Sequence, residues 1–191
     1  MEKSKLIKLL VSMSSTVGKE VAYVQGAGGN TSVKFSDSEM AIKSSGINLK
    51  DISVKSGISI VDFKSLNQFL MTSDVSEDKF SDKVNTFQTE STGRPSIETG
   101  FHSYLGKFVI HTHSVFTNIL NCSVEGKDQI KKLFPEAILI KYATPGRDLT
   151  KEIINNIPYP PKLNGIIFLE SHGIIVWAEN SEEAISIHEN I

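Results

Sequence analysis

A chain of 191 residues can bury the core of one domain, and its 39% hydrophobic and 22% charged residues describe an ordinary globular protein. Its 20 basic and 22 acidic residues give a formal net charge of −2, which argues against a surface for nucleic acid or an anionic membrane. No stretch approaches the ~20 apolar residues of a membrane span. The lone cysteine, Cys122, excludes an intrachain disulfide and fits a reducing, cytoplasmic location. We therefore expect one cytoplasmic domain over residues 1–191.

The first predicted element is a helix in the segment MEKSKLIKLLVSMSSTVGKE. Its basic start and apolar middle could be mistaken for a signal peptide, but charge returns within the run and the apolar residues recur at helical spacing. We predict an amphipathic helix that packs on the domain and ends at Gly18. Its apolar positions are Leu6, Ile7, Leu9, Leu10 and Met13.

Four short strands are predicted next, in VAYVQ, TSVKF, MAIKSS and GISIVDF, where β-branched and apolar residues alternate or cluster between glycines and polar turns. Residues 74–95 are polar and are predicted to form a mobile excursion. A short helix is predicted to follow Pro95 and Ser96 and to run to about Leu105.

Strands and helices mix in the second half of the chain. KFVIHTHSV and AILIKYA predict strands, whereas VFTNILN, KDQIKKLF and DLTKEIINNI predict helices. GIIFLESHGIIVWAEN predicts two buried strands that meet at His172 and Gly173, and NSEEAISIHENI opens a helix with Ser181 as its cap. Because several strands follow one another directly, we expect a layered α/β domain with a largely antiparallel or mixed sheet.

Two histidines, His111 and His113, lie one residue apart in the apolar segment FVIHTHSVF. Side chains at i and i+2 of a strand share a face, so the two imidazoles would lie side by side with Thr112 on the opposite face. Neutral imidazole is a good zinc ligand, although the pair alone also fits two hydrogen-bonded histidines near a sheet end. His172 is the third candidate, because it lies where an apolar run breaks before Gly173. Three histidines with an open fourth position are typical of catalytic zinc.

The acid/base candidate is Glu98, in GRPSIETGFH just before the histidine strand. A carboxylate beside a metal can act as a general acid/base, whereas the alternative is a first-turn glutamate that interacts with the helix dipole. His102 lies four residues later, on the same helix face, and could orient the site or pair with Glu98. His188 is predicted to lie in an exposed acidic helix without a function.

An anion-binding turn is the second dense pattern, in QGAGGNTSVK at residues 25–34. Its glycines expose backbone N–H groups, and the following short polar side chains could bind a phosphate or carboxylate. The spacing is neither that of a Walker motif nor that of a Rossmann motif, and a structural turn between strands is the alternative. KSSG at residues 43–46 and Ser96 add further small donors. Lys43 could add positive charge to them, but we expect it to be solvated instead.

In this order, the motifs GAGGNTSVK, IKSSGINL, RPSIETGFH, VIHTHSV, YATPGRDL and ESHGIIVWAENSEEA resemble the class II aldolase/adducin head family. Its known enzymes include fuculose-phosphate and rhamnulose-phosphate aldolases, and the resemblance spans about residues 20–187. RPSIETGFH with HTHS is most similar to a rhamnulose-phosphate aldolase-like subgroup often fused to a short-chain dehydrogenase domain. The resemblance implies a three-layer α/β/α fold with a mixed, mainly antiparallel central sheet. It also implies a homotetramer with active sites near subunit contacts.

The resemblance further implies a divalent metal, usually zinc, bound by His111, His113 and His172, with Glu98 as the acid/base residue. The implied activity is that of an aldehyde-lyase that reversibly cleaves a sugar (ketose) phosphate through a metal-stabilised enediolate. Alternatives within the family are a pentulose-phosphate 4-epimerase, a methylthioribulose-phosphate dehydratase and a non-catalytic adducin-like assembly module. The implied phosphate-binding residues are Gly29, Asn30, Thr31, Ser32, Ser45, Gly46 and Ser96.

The chain departs from the family pattern at three places. Ile97 stands where family aldolases often carry a second hydroxyl residue before the glutamate. The proton-donor tyrosine of the aldolases has no clear equivalent in KDQIKKLFPE, and Tyr142 belongs to a different motif. Family domains usually continue through a full C-terminal helix and beyond, whereas this sequence ends within that helix at Ile191.

Overall fold

The computed structural model describes residues 2–73 and 75–191, without the side chain of Ser91. Its centre is one eight-stranded sheet with the strand order β4-β3-β2-β1-β5-β8-β7-β6. Only the pairing of β6 with β7 is parallel among the described strands, which confirms the expected mixed, mainly antiparallel sheet. The strands are β1 (Asn30–Lys34), β2 (Glu39–Lys43), β3 (Ile58–Asp62), β4 (Gln88–Ser91), β5 (Phe108–Thr112), β6 (Ile138–Ile140), β7 (Gly165–Leu169) and β8 (Gly173–Ala178).

Eight α-helices and a short 3-10 helix, Leu49–Asp51, accompany the sheet in the described residues. None of the helices in these residues has the length and apolar character needed to cross a membrane. The helices are α1 (Lys3–Lys19), α2 (Phe63–Thr72), α3 (Glu77–Asn85), α4 (Thr99–Tyr104), α5 (Val115–Asn121), α6 (Gly126–Leu133), α7 (Arg147–Asn156) and α8 (Ser181–Glu189).

Apolar side chains alternate across the central strands and give the sheet a core on each face. On β8, Ile174 and Val176 pack in the core that includes Ile130 of α6, while Ala178 packs with α1 and α8. Ile175 and Trp177 point the other way and pack with α4 and α7. Helices therefore cover both faces, which confirms the three-layer α/β/α architecture; we call the two sides the α1 face and the α4 face.

The first helix and the long C-terminal half follow the sequence prediction, but three local predictions are wrong. VAYVQ is a turn rather than a strand, because the backbone N–H groups of Tyr23 and Val24 both donate to the Glu20 carbonyl, at 2.9 and 3.1 Å, instead of pairing with a neighbouring strand. The polar residues 74–95 include α3 and β4, since Phe80 and Val84, four residues apart, form a buried stripe.

The third error concerns helix ends. The predicted strand GISIVDF runs through Phe63, whereas Asp62 ends β3 and caps α2 by accepting a hydrogen bond from the Ser65 backbone N–H at 3.0 Å. Asn180, not Ser181, caps α8, accepting from the Glu183 backbone N–H at 2.8 Å.

Candidate metal centre

Three histidines converge at the end of the central strands, on the α4 face of the sheet. His111 is in β5, His113 follows that strand, and His172 lies in the turn between β7 and β8. Their ring centroids are 4.9–5.0 Å apart, and one ligand atom from each lies within 4.8 Å of the others. The Nε2 atoms of His111 and His113 are 3.1 Å apart. The structure therefore brings together the histidine set that the sequence predicted.

The register of the sheet fixes the tautomer of His111. Its Nδ1 lies 2.9 Å from the backbone oxygen of Ile174 on β8, the strand that pairs with β5. Because a carbonyl oxygen only accepts, Nδ1 carries the proton and Nε2 keeps its lone pair, as a metal ligand requires.

The turn that carries His172 is held from below by α5. The Asn118 side-chain amide donates to the His172 carbonyl at 3.2 Å, and the Asn121 amide donates to the Gly173 carbonyl at 2.9 Å. Ser171 has a φ of 54°, and a Cβ at Gly173 would lie 2.3 Å from the backbone oxygen of Thr112. The sharp turn and the close approach of β5 together aim His172 at the other two rings.

Gly173→Ala is expected to destabilise the protein by about 1–3 kcal/mol, because the added methyl meets backbone rather than a movable side chain. Urea denaturation of the metal-free protein measures this change. Ser171→Gly is the matched control in the same turn: relief of the left-handed φ offsets the entropy of glycine, so we expect a change below about 1 kcal/mol. Equal stabilities of Gly173→Ala and wild type would contradict the close approach.

Glu98 lies against the histidine cluster and is 6% exposed. Its Oε2 is 3.4 Å from His111 Nε2, and its Oε1 is 3.4 Å from His172 Nε2. Although Glu98 is the N-cap of α4, its side chain makes no capping hydrogen bond within the described residues and faces the histidines instead. Oε1 and His172 Nδ1 are buried and lack hydrogen-bond partners in the described part of the chain.

The charge state of the cluster suits a divalent cation. Burial lowers the pKa of His111 to about 3 and that of His172 to about 4, with a further contribution from the neighbouring imidazoles. Burial also lowers the pKa of His113. The three rings are therefore neutral at neutral pH, the form that binds metal. Three neutral imidazoles beside a carboxylate with an unpartnered buried oxygen fit a zinc-like ion, since such an oxygen needs a cation or a donor.

Small polar side chains adjoin Glu98. The Asn30 amide, at the start of β1, donates to Glu98 Oε2 at 2.7 Å and to Ser96 Oγ at 3.2 Å. The Ser45 backbone N–H donates to the Arg94 carbonyl at 2.8 Å, and Gly46 follows with a φ of 77°. Of the predicted anion-binding residues, Asn30 and Ser96 therefore adjoin Glu98, and Ser45 is joined to the segment that carries Ser96.

The family model for the class II aldolase and adducin N-terminal domain matches residues 9–191. The chain belongs to this family. Class II aldolases are metal-dependent, which agrees with the histidine cluster.

A bacterial protein is similar in sequence to this class II aldolase-family chain. It is 27% identical over 189 residues to a Bacillus subtilis (strain 168) protein named uncharacterized oxidoreductase YuxG, covering 92% of this chain and 27% of that protein. The chain thus spans about a quarter of the length of this curated relative.

Solved structures show the same fold. The N-terminal class II aldolase domain of a conserved Thermoplasma acidophilum protein superposes with a TM-score of 0.85 and 27% identity, over 97% of this chain and 89% of that chain. An L-fuculose 1-phosphate aldolase superposes with a TM-score of 0.65 and 21% identity, over 99% and 82%. At that identity the second likeness shows the fold alone.

Thr31 and Ser32 require a correction to the implied phosphate site of the class II aldolase family. Both lie inside β1 and are at most 1% exposed. Thr31 points to the α1 face, with its hydroxyl 2.6 Å from that of Ser14, while Ser32 Oγ lies 2.7 Å from His102 Nδ1. Their hydroxyls are unavailable to a ligand in this structure, because the chain is already in the sheet from Asn30 onward.

Lys43 was expected to be solvated, but it is 3% exposed. Its Nζ donates to the carbonyls of Ala27 at 2.8 Å and Gly29 at 3.0 Å, so it ties the glycine-rich turn to β2. Burial lowers its pKa to about 8, partly offset by the Glu98 carboxylate. A buried ammonium thus lies under the glycine-rich turn of this class II aldolase-family chain, whereas the sequence favoured a solvated side chain because lysines at strand ends are usually exposed.

His188 was expected to be exposed, but it is 4% exposed and packs under the cluster on the α1 face. Its Nε2 lies 2.7 Å from the Thr112 hydroxyl, and its ring meets that of Tyr23 edge-on at 4.7 Å. The acidic residues of α8 misled the prediction, since the helix turns them outward and buries Ala184 and His188.

Acid is expected to destabilise the metal-free protein partly through His188, because burial lowers its folded-state pKa from 6.5 to about 4. Between those pH values the unfolded chain binds a proton that the folded chain does not, so stability falls as the pH falls. His188→Gln removes this titration and should reduce the pH slope of the unfolding free energy by up to about 1.4 kcal/mol per pH unit. Urea denaturation at pH 7, 6 and 5 measures the slope; identical slopes would contradict the burial.

The departures from the class II aldolase pattern lie outside the cluster. Ile97 is 44% exposed and Tyr142 is 61% exposed. Among the other tyrosines, Tyr23 packs on His188, and Tyr104 packs against Tyr159. None of these described contacts supplies a tyrosine hydroxyl to the three histidines.

Proposed function

We propose that the chain is a divalent-metal-dependent aldehyde-lyase that reversibly cleaves a carbon–carbon bond of a ketose phosphate. The observation that supports this proposal most is the position of Glu98, whose buried Oε1 has no partner in the described residues and lies 3.4 Å from His172 Nε2. A base held beside a cation site is what proton transfer to and from a carbon next to a carbonyl requires.

His111, His113 and His172 would bind the metal, for which we propose zinc. When bound, a divalent cation supplies Lewis-acid stabilisation of the negative charge that retro-aldol cleavage leaves on an enediolate. The protein's own contribution is to hold neutral imidazoles ready, because burial keeps their pKa values low and Ile174 fixes the His111 proton.

Glu98 would move the proton. Its Oε2 is occupied by the Asn30 amide, so Oε1 is the oxygen left to accept or return a proton at the reacting carbon. Its burial excludes bulk water from that oxygen, which favours proton transfer to substrate over exchange with solvent.

The substrate phosphate would lie near Glu98, against the glycine-rich turn and the segments around residues 45–46 and 96. Backbone N–H groups at glycine-rich turns and small hydroxyls suit a phosphate, and the Lys43 ammonium below the turn adds a positive potential there. We propose Gly29, Ser45, Gly46 and Ser96 as the phosphate-binding residues, whereas the side-chain amide of Asn30 is engaged by Glu98 and Ser96.

A retro-aldol assay on a panel of ketose phosphates tests this proposal. The expected result is release of an aldehyde, lost after treatment with a chelator and restored by zinc. Cleavage that persists in the metal-free protein would refute the mechanism.

A second candidate is 4-epimerisation or dehydration of a sugar phosphate at the same site. It is favoured because the family aldolases use a tyrosine as proton donor, and the described tyrosine contacts bring no hydroxyl to the three histidines. A structure of YgbL from Klebsiella pneumoniae, a protein named as a putative aldolase/epimerase/decarboxylase, has the same fold at 18% identity and a TM-score of 0.71. It covers 100% of this chain, and this chain covers 86% of it. Product analysis separates these reactions, since only cleavage yields an aldehyde, and absence of bound metal would instead favour an adducin-like assembly module.

We also propose a homotetramer. Val115, Phe116 and Ile119 of α5 are 49–64% exposed directly after His113, which gives an apolar surface next to the cluster. Light scattering after size exclusion tests the oligomeric state. The single domain over 1–191 and the cytoplasmic location stay predictions.

A further inference from the structure

A chain of buried hydrogen bonds runs from β1 to Glu98 behind the metal centre. His102 of α4 is 0% exposed, stacks on Phe101 at 4.7 Å between ring centroids and is not a member of the histidine cluster. Its Nε2 contacts Asn30 Oδ1, and its Nδ1 lies 2.7 Å from Ser32 Oγ. Asn30 in turn reaches Glu98 Oε2 at 2.7 Å.

Only one direction of donation satisfies this chain. A carboxylate accepts, so the Asn30 group facing Glu98 is the NH₂ and the group facing His102 is the carbonyl oxygen. His102 Nε2 must then carry the proton, and its Nδ1 accepts from the Ser32 hydroxyl. Burial lowers the pKa of His102 well below its ordinary value, which agrees with a neutral ring that donates on one side and accepts on the other.

We propose that His102 is a positioning residue, which sets the orientation of the Asn30 amide and through it holds Glu98 Oε2, so that Oε1 faces the reacting carbon. The inference rests on the proposed function for its kinetic consequence but not for its structural one. Without the His102 donor, the Asn30 amide can rotate and present its oxygen to the carboxylate, which repels Glu98 from its place.

Three variants separate positioning from simple stability. His102→Leu removes the donor, His102→Gln restores a side-chain N–H, and Ser103→Ala is the matched control. Ser103 is 0% exposed on the same helix, and its hydroxyl lies 2.6 Å from both Asn67 Oδ1 and the Gly100 carbonyl oxygen and donates to one of them. Losing that bond costs stability without touching the Asn30 amide.

The first readout is the Asn30 side-chain amide in NMR spectra of the metal-free protein without substrate. We expect a slowly exchanging amide proton in wild type, His102→Gln and Ser103→Ala, and its loss in His102→Leu. An unchanged amide in His102→Leu would overturn the inference.

The second readout is turnover. We expect His102→Leu to lower kcat about 10- to 100-fold with zinc content and KM within about twofold, and His102→Gln to recover most of kcat. A kcat of folded His102→Leu equal to that of Ser103→Ala would also overturn the inference. If wild type turns over no sugar phosphate, the proposed function fails, whereas the amide signal still decides on His102.

Should His102→Leu not fold, His102→Phe replaces it, because an aromatic ring stacked on Phe101 is kept while both ring nitrogens are lost. The Asn30 carbonyl then has no donor, so the slowly exchanging amide proton should be lost and kcat should fall at least about threefold. A wild-type amide signal with wild-type kcat in this variant would overturn the inference.

Discussion

His172→Ala is expected to abolish both metal binding and turnover. The variant removes one of three imidazoles whose ring centroids lie 4.9–5.0 Å apart and leaves His111 and His113 without a third ligand. Since a metal contributes several kcal/mol of charge stabilisation, turnover should fall by at least about 10³-fold. Elemental analysis of the purified protein should show about one zinc per wild-type chain and little in the variant.

His188→Gln is the matched control for this experiment, because it replaces a buried histidine that contacts Thr112 but is not a member of the cluster. It should keep its zinc and most of its turnover. Wild-type metal content in His172→Ala would show that the three histidines do not form the site.

Glu98→Gln is expected to separate metal binding from chemistry. The amide keeps the size of the side chain and leaves all three histidines intact, so zinc content should not change. It cannot take up a proton as the carboxylate does, and general acid–base catalysis typically contributes about 10²- to 10⁴-fold. We expect kcat to fall by that factor, measured at saturating substrate on the sugar phosphate that the panel identifies.

Glu170→Gln provides the comparison for Glu98→Gln. Glu170 is an exposed glutamate two residues before His172, and its carboxylate accepts from the Tyr142 backbone N–H at 3.1 Å. The kcat of Glu170→Gln should stay near that of the wild type. A Glu98→Gln enzyme with wild-type kcat would rule out the assigned proton transfer.

Sequence reasoning found the histidines because strand periodicity is local. His111 and His113 are two residues apart in an apolar run, and a run that breaks at a glycine marked His172. The burial of Lys43, His102 and His188 was not predictable in this way. Burial of each side chain depends on which distant segment covers it. Tertiary packing decides this, and the composition of the strand or helix that carries the residue does not.

The same reason explains why Thr31 and Ser32 were wrongly included among the predicted phosphate-binding residues. QGAGGNTSVK correctly indicated a turn, but the residue at which the turn becomes strand was not visible in its letters. Pairing of Asn30 with His111 and Thr31 with Ile110 draws the later residues into the sheet and buries their hydroxyls. Element boundaries depend on such pairings, whereas the existence of the strand does not.

The adjacency of β5 and β8 bears on how the protein folds. The Nδ1–H of His111 is satisfied by a carbonyl 63 residues further along the chain, so this centre closes only after a large loop has been formed. A contact of such sequence separation is slow to form. An ion bound at this centre would stabilise the native state and not the unfolded chain. The supply of that ion would therefore govern how long a newly synthesised molecule survives proteolysis.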